Sequence, residues 1–309
     1  MINFRYHLVS LTAVFLALTV GLILGTAALN GPAIEAFESN IQSLRDSNAQ
    51  LRDQAEQMAE DLEDEQAFAN AVAPSYLAGQ LTAKNVLVVA LPGVESATVD
   101  STVEMLGYAG ATVSGRISIL DDFFDPANTG ELGDLAETTT PDTMTTPVTY
   151  DGVTAMSYVL AAVTTGEAAG ATVTVTPADI TTVITGLGDL EMLTVETTPT
   201  GVADGVIILA GSGFVDADAA ERNAGMVAFA NEYAADDPTV YAATTDTGDG
   251  NPIKILLAEN ADTVATVDNV AITQGQIAAV AGLADFINTG TVNHLGTGEG
   301  ASDLLPGAA

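Results

Sequence analysis

The chain contains no cysteine, only two histidines, and seven basic residues against 41 acidic ones. The missing thiols exclude disulfides, thiolate metal sites and cysteine nucleophiles together. His7 lies at the edge of an apolar run, so any catalysis that needs imidazole rests on His294 alone. A formal charge of −34 would be repelled by phosphate backbones, and nucleic-acid binding is set aside. Yet 48% of the residues are hydrophobic, too many for a disordered acidic chain. The carboxylates must therefore cover a folded surface, and 309 residues give room for an extended element plus a sizeable domain.

What is present begins with Leu8 to Leu29, 22 residues without a charge, enough to cross a hydrocarbon core of ~30 Å as a helix. A cleaved signal peptide is the competing reading, since Thr26-Ala27-Ala28 offers small residues, but cleavable apolar cores run only about 7–15 residues. Arg5 and the amino terminus precede the span, whereas the next basic residue is Arg45, with Glu35 and Glu38 nearer. This predicts a single-pass plasma-membrane protein with a cytoplasmic N-terminus and its bulk outside the cytoplasm. Ala13, Ala17, Gly21 and Gly25 recur every four residues, and Gly21–Gly25 is a GxxxG pattern that lets two helix backbones approach. The stripe pairs with a second copy or is incidental to simple anchoring.

Residues 1–30 thus read as a stub and membrane helix, and Asn30-Gly31-Pro32 is expected to end that helix and begin another. Residues 31–73 then hold an a/d heptad register: Ile34, Phe37, Ile41, Leu44, Asn48, Leu51, Ala55, Met58, Leu62, Glu65, Ala69 and Val72. Asn48 at an a position is tolerated where it meets a partner amide, which predicts a parallel in-register homodimer with Ile41, Leu44, Asn48, Leu51, Met58 and Leu62 at its seam. The alternative is a long amphipathic helix packed on its own domain, and Glu65 at a d position favours it. Extended backward, the heptad gives Ala27, Val20 and Ala13, which is not the four-residue stripe, so the break at residues 30–32 has to decouple the two segments. Pro74 is expected to close the coil.

Residues 74–288 read as an α/β sandwich with a mainly parallel sheet. Val86 to Ala90 is a short β-branched run, followed by a helix around Glu95 to Tyr108 and a strand around Thr112 to Ile119. The order recurs with Val206 to Ala210, a helix from Asp216 to Ala235, and a strand at Thr239 to Thr244. Further helices are expected at Asp151–Thr164, Pro177–Ile184 and Gln274–Ile287. The Thr-, Pro- and Asp-rich stretch at 121–150 reads as a mobile surface insertion, and 289–309 as a glycine-rich tail with little regular structure.

Chemical motifs are weak. Gly211-Ser212-Gly213 follows a strand, but Asp216 stands where a dinucleotide loop needs its third glycine, so a tight turn is the better reading. Ala210 and Phe214 rule out a nucleophile elbow at Ser212. Asp121, Asp122 and Asp125 lack cation-loop spacing, the methionines are scattered, and Gly296-Thr-Gly298-Glu-Gly300 has neither a following helix nor a lysine. No catalytic, cofactor or metal residue is assigned.

The opening Phe4-Arg5-Tyr6-His7-Leu8-Val9-Ser10-Leu11, then Val14-Phe-Leu-Ala-Leu18, the glycine-rich end of the span, the heptads and the tail Asn293-His294-Leu-Gly296-Thr-Gly298 resemble the actinobacterial MctB/SteB family. The resemblance implies a single-pass envelope protein and carries two functions of different class. One is cell separation, in which the protein works with the membrane-associated SteA to control a peptidoglycan hydrolase. The other is copper efflux or transport by an MctB-like channel. One membrane helix cannot enclose a pore unless it oligomerises, and copper ligands are lacking, so the expectation here is the first, a non-enzymatic interaction module.

Overall fold

The computed structural model describes residues 4–145, 151–168, 170–248 and 250–307, and for 27–33 the backbone alone. The chain divides into two compact units, Met1–Glu65 and Gln66–Ala309. The first is helical: α1 (Phe4–Leu77) begins in it and supplies the apolar span Phe4–Thr26. The helix passes without interruption through Asn30, Gly31 and Pro32 and again through Pro74, so neither expected break occurs. Each proline forfeits one backbone hydrogen bond at a cost of about 3 kcal/mol, and the long helical runs on either side propagate across it. The break therefore does not decouple the four-residue stripe from the heptad. The final turns of α1 belong to the second unit, where Ala69, Ala73 and Leu77 are buried in its core. As an open surface the expected stalk ends near Glu65.

In the second unit, β1 (Asn85–Ala90), α2 (Ser96–Ala109) and β2 (Thr112–Ile119) form the first β-α-β unit. Two 3-10 turns, η1 (Asp121–Phe124) and η2 (Pro126–Asn128), then lead into α3 (Thr129–Thr139) and α4 (Gly152–Thr165). The two-residue strands β3 (Glu167–Ala168) and β4 (Ala171–Thr172) make a small hairpin before α5 (Pro177–Asp189) and β5 (Leu193–Thr197). There follow β6 (Gly205–Ala210), α6 (Ala219–Ala234), β7 (Thr239–Ala243), α7 (Pro252–Glu259), β8 (Val264–Val267), α8 (Thr273–Thr289) and β9 (His294–Leu295). The main sheet runs β5-β2-β1-β6-β7-β8-β9, parallel throughout except for β5, which pairs antiparallel with β2. The expected mixed fold with a mainly parallel sheet is the one observed.

Strand alternation sorts the core into two layers. Leu87 and Val89 of β1, Val206 and Ile208 of β6, and Tyr241 of β7 face a cluster completed by α3, α4, α5 and α6. Val86, Val88, Ile207, Leu209, Val240 and Ala242 face the opposite cluster, completed by the end of α1, α2 and α8. Both faces are covered, as continuous apolar strands such as Asn85–Ala90 require.

The stretch 121–145 is not a surface insertion. Phe123 and Phe124 are buried and meet Phe229 edge-on at 5.8 and 6.1 Å between ring centroids, and Leu132 and Ala136 join the same core. Such aromatic pairs add about 0.5–1.5 kcal/mol beyond the area they bury. Residues 146–150, the rest of the expected insertion, lie outside the described residues. The tail also has structure: β9 pairs with β8, and Leu295 is buried.

At the opposite end of the sheet from the β1 and β6 turns, Asp204 accepts the Asn85 N–H at 2.8 Å and lies 3.1 Å from Lys84 Nζ. Burial raises its pKa, but these partners outweigh it and the net direction is downward. Nearby Asp237 is buried, and desolvation, helped by the charges of Glu167, Asp236 and Asp204, raises it to about 6 against the pull of the Thr165 hydroxyl. Its folded-state pKa therefore exceeds the unfolded one. Its contribution is fully present below the unfolded value and is lost as pH rises through 6. Asp237→Asn is expected to stabilise the protein by about 2 kcal/mol at pH 8 and to give no gain near pH 4, read from denaturant midpoints at the two pH values.

Candidate functional site

The apolar face of α1 and the carboxyl ends of the parallel strands are the places where function could be built. Along α1, Ala13, Ala17, Gly21 and Gly25 lie within the span, and a Cβ placed on Gly21 or Gly25 would meet nothing within 4 Å. The stripe is sterically free for a neighbouring helix. Further along, Phe37, Leu44, Leu51 and Met58 are each 65–70% exposed, a large apolar area for a single chain to leave in water. Ile41, Leu44, Asn48, Arg45 and Arg52 line one shallow groove. The residues expected at a self-association seam thus share one helix face, and Leu62 at its end is 42% exposed.

In an open α/β sheet, ligands bind outside the carboxyl ends of strands where the strand order reverses. Here that point lies between β1 and β6, and the turns that follow them are Leu91-Pro92-Gly93 and Gly211-Ser212-Gly213. The crevice is shut. Gly211 donates its N–H to the Pro92 carbonyl at 3.1 Å, and a Cβ on Gly211 would lie 2.4 Å from the Gly93 carbonyl carbon. A Cβ on Gly213 would meet the Pro252 ring at 2.8 Å. The glycines allow backbone to pack on backbone, and at Gly211-Ser212-Gly213 the chain bends rather than forming the expected tight turn.

Neighbouring loops are held in the same internal way. The Arg222 guanidinium sits 3.5 Å over the Phe214 ring, binds Asp216 at 2.6 Å, and reaches Asp121 of η1 at 3.7 Å. Asp125 accepts the Ala127 N–H at 2.8 Å and caps its own turn. Asp121, Asp122 and Asp125 therefore do not converge on a common point as a cation cage would. Asp268 accepts the N–H groups of Thr297 and Gly298 at 2.9 and 2.8 Å, so the glycine loop of the tail does form an anion-holding nest, filled by the chain's own carboxylate. A Cβ on Gly296 would stand 2.1 Å from Asp268, and one on Gly298 would stand 2.3 Å from Asp246. Neither Asp268 nor Arg222 was singled out by sequence, because each acts on residues distant in the chain. The paired glycines 296 and 298 were the one local signal.

His294 is half-buried, and both ring nitrogens are engaged: Nε2 donates to the Ala261 carbonyl at 3.0 Å and Nδ1 pairs with the Thr266 hydroxyl at 3.0 Å. Desolvation lowers its pKa despite that carbonyl and Asp262, so the neutral ring is the form that ties β9 to β8. Met105, Met156, Met192 and Met226 are buried in the two core layers. Among the described residues no three His, Asp or Glu side chains gather as metal ligands.

Fold and site define a class: one helix long and apolar enough to cross a membrane, joined to a doubly wound α/β unit whose usual ligand crevice is closed by glycine backbone. The chain belongs to the MctB family, described as "Copper transport outer membrane protein, MctB", which matches residues 1–306. It is 26% identical over 312 residues to proteins named Copper transporter MctB from Mycobacterium tuberculosis and Mycobacterium bovis, covering 98% of this chain and 99% of theirs. The Mycobacterium leprae protein of the same name is 26% identical over 316 residues, again covering 98% of this chain and 99% of its own.

If the closed crevice is a packing feature, Gly211→Ala should destabilise the protein by about 3 kcal/mol, because the new methyl meets backbone that cannot rotate away. Ser212→Ala, by contrast, should change the thermal midpoint little. Equal and small effects from both would show that the two turns do not depend on this contact.

Proposed function

We propose that this chain is a non-enzymatic, single-pass envelope protein that serves copper transport as a component of an assembly built through α1. The end-to-end match to relatives named as copper transporters carries this reading, since it includes the span, the heptad helix and the α/β unit together. It reverses the ranking expected from sequence, where the single membrane helix and the lack of copper ligands together favoured a role in cell separation. Donor chemistry still limits how copper is served. Cu(I) is held by thiolate, thioether and imidazole, yet the chain has no cysteine, its described core methionines are packed in apolar layers, and His294 has both nitrogens engaged. A single helix also encloses no pore. Assembly is therefore the chain's contribution, through parallel pairing along Ile41, Leu44, Asn48, Leu51, Met58 and Leu62, with the N-terminus cytoplasmic and the α/β unit beyond the membrane.

The same poverty of donors, with so large an apolar helix face exposed, favours a second reading. In it the chain is a regulatory partner in cell separation, meeting a SteA-like membrane protein to control a peptidoglycan hydrolase. A deletion strain separates the two. Copper accumulation and copper-specific sensitivity with normal separation are expected from the first reading. Chained cells with ordinary copper tolerance would replace it by the second.

The pairing has its own test. Asn48→Ile should change the oligomer number of the purified full chain in detergent, because a buried amide pair no longer selects two strands. A protein that is monomeric at micromolar concentration before and after the change would remove the coil from this account.

A further inference from the structure

Residues flanking the heptad seam set the choice of partner in a coiled coil. With a positions at Ile34, Ile41, Asn48, Ala55 and Leu62, the e positions hold Glu38, Arg45, Arg52 and Ala59, and the g positions hold Asn40, Ser47, Gln54 and Asp61. In a parallel pair a g residue meets the e residue five positions later on the other helix. Self-pairing therefore sets Arg45 against Asn40, Arg52 against Ser47, and Asp61 against Gln66. Every one of these charges meets a neutral side chain.

The arginines are conspicuous on this segment, since Ile34 to Glu65 carries ten carboxylates and two arginines. Among the described residues no ion pair engages Arg45 or Arg52, and both flank the shallow groove lined by Ile41, Leu44 and Asn48. Arg45 stands 19 residues beyond Thr26, about 28 Å along a helix, which is several screening lengths from lipid headgroups. Lipid headgroups are therefore out of their reach.

We infer that the Ile41–Leu62 face of α1 recognises a second, different amphipathic helix: one with carboxylates a heptad apart opposite Arg45 and Arg52, and a basic residue opposite Asp61. This rests on the reading of α1 as a pairing helix and specifies the partner's charge pattern. Each matched pair contributes a factor of about two, so three together favour the charged partner over a second copy by about tenfold at low salt.

The test uses the full chain in detergent micelles and two labelled peptides spanning residues 34–72, one unaltered and one carrying N40E, S47E and Q66K. The altered peptide should bind about tenfold more tightly, with the difference collapsing at roughly 0.5 M NaCl. R45E/R52E in the full chain should abolish or invert that preference. Equal binding of both peptides would overturn the inference while leaving helix pairing intact. Binding of neither would overturn it as well, and the mass of the full chain would then decide the pairing itself: a dimer means self-association excludes the charged helix, and a monomer means α1 does not pair.

Discussion

A parallel sheet of apolar strands has to be covered on both faces, and most of this architecture follows from that requirement. In β1 and β6 nearly every residue is buried, so neither face can be left to solvent. One face takes α3 through α6, which is why Phe123, Phe124 and Leu132 leave the surface despite the Thr- and Asp-rich sequence around them. The other face takes α2 and α8, and the cover is completed by Ala69, Ala73 and Leu77 of α1. The last turns of the long helix are part of the domain core for this reason.

What could be read from the sequence was what local periodicity encodes. The strands Asn85–Ala90, Thr112–Ile119, Gly205–Ala210 and Thr239–Ala243 and their intervening helices lie where apolar runs and turn residues placed them. Composition misled at 121–139, because two adjacent phenylalanines and a few aliphatic residues make a buried helix-turn unit only when α4 and α6 are there to receive them. Strands of four and two residues, β8 and β9, are too short to show a period, and their pairing depends on His294 and Asp268 reaching across the fold. At Ala69 the heptad continued without a signal, since alanine suits a coil position and a domain core equally well. The exposed apolar stripe of Phe37, Leu44, Leu51 and Met58 was legible because these residues recur at heptad spacing.

The carboxyl edge of the sheet shows why glycine content is a poor guide to ligand binding. Gly93 and Gly211 bring two backbones into contact where doubly wound proteins commonly receive a ligand. Gly296 and Gly298 make room for Asp268, whose carboxylate occupies the donors a phosphate would need. In both places the absent Cβ serves internal closure, and Arg222 does the same for η1 by joining Asp121, Asp216 and Phe214. In a chain with few cations these backbone donors are satisfied by its own carboxylates, and each such contact fills a site that would otherwise attract an anion.

The continuity of α1 bears on how such a chain assembles. On an ideal helix a four-residue stripe advances about 40° per step, whereas a heptad drifts back by about 20° per repeat. From Ala13 to Gly25 the stripe has therefore turned by roughly 120° in one sense, and the heptad turns in the other. Carried back at heptad spacing along the unbroken helix, the Ile34–Leu62 seam reaches Ala13 at an a position and leaves Ala17 at its flank, whereas Gly21 and Gly25 fall at b and f, off the seam. Gly21 and Gly25 then present a helix surface distinct from the heptad seam, one open to close backbone approach and the other lined by larger apolar side chains. An assembly of more than two helices accommodates both surfaces at once, which a single pair wound along the heptad seam does not.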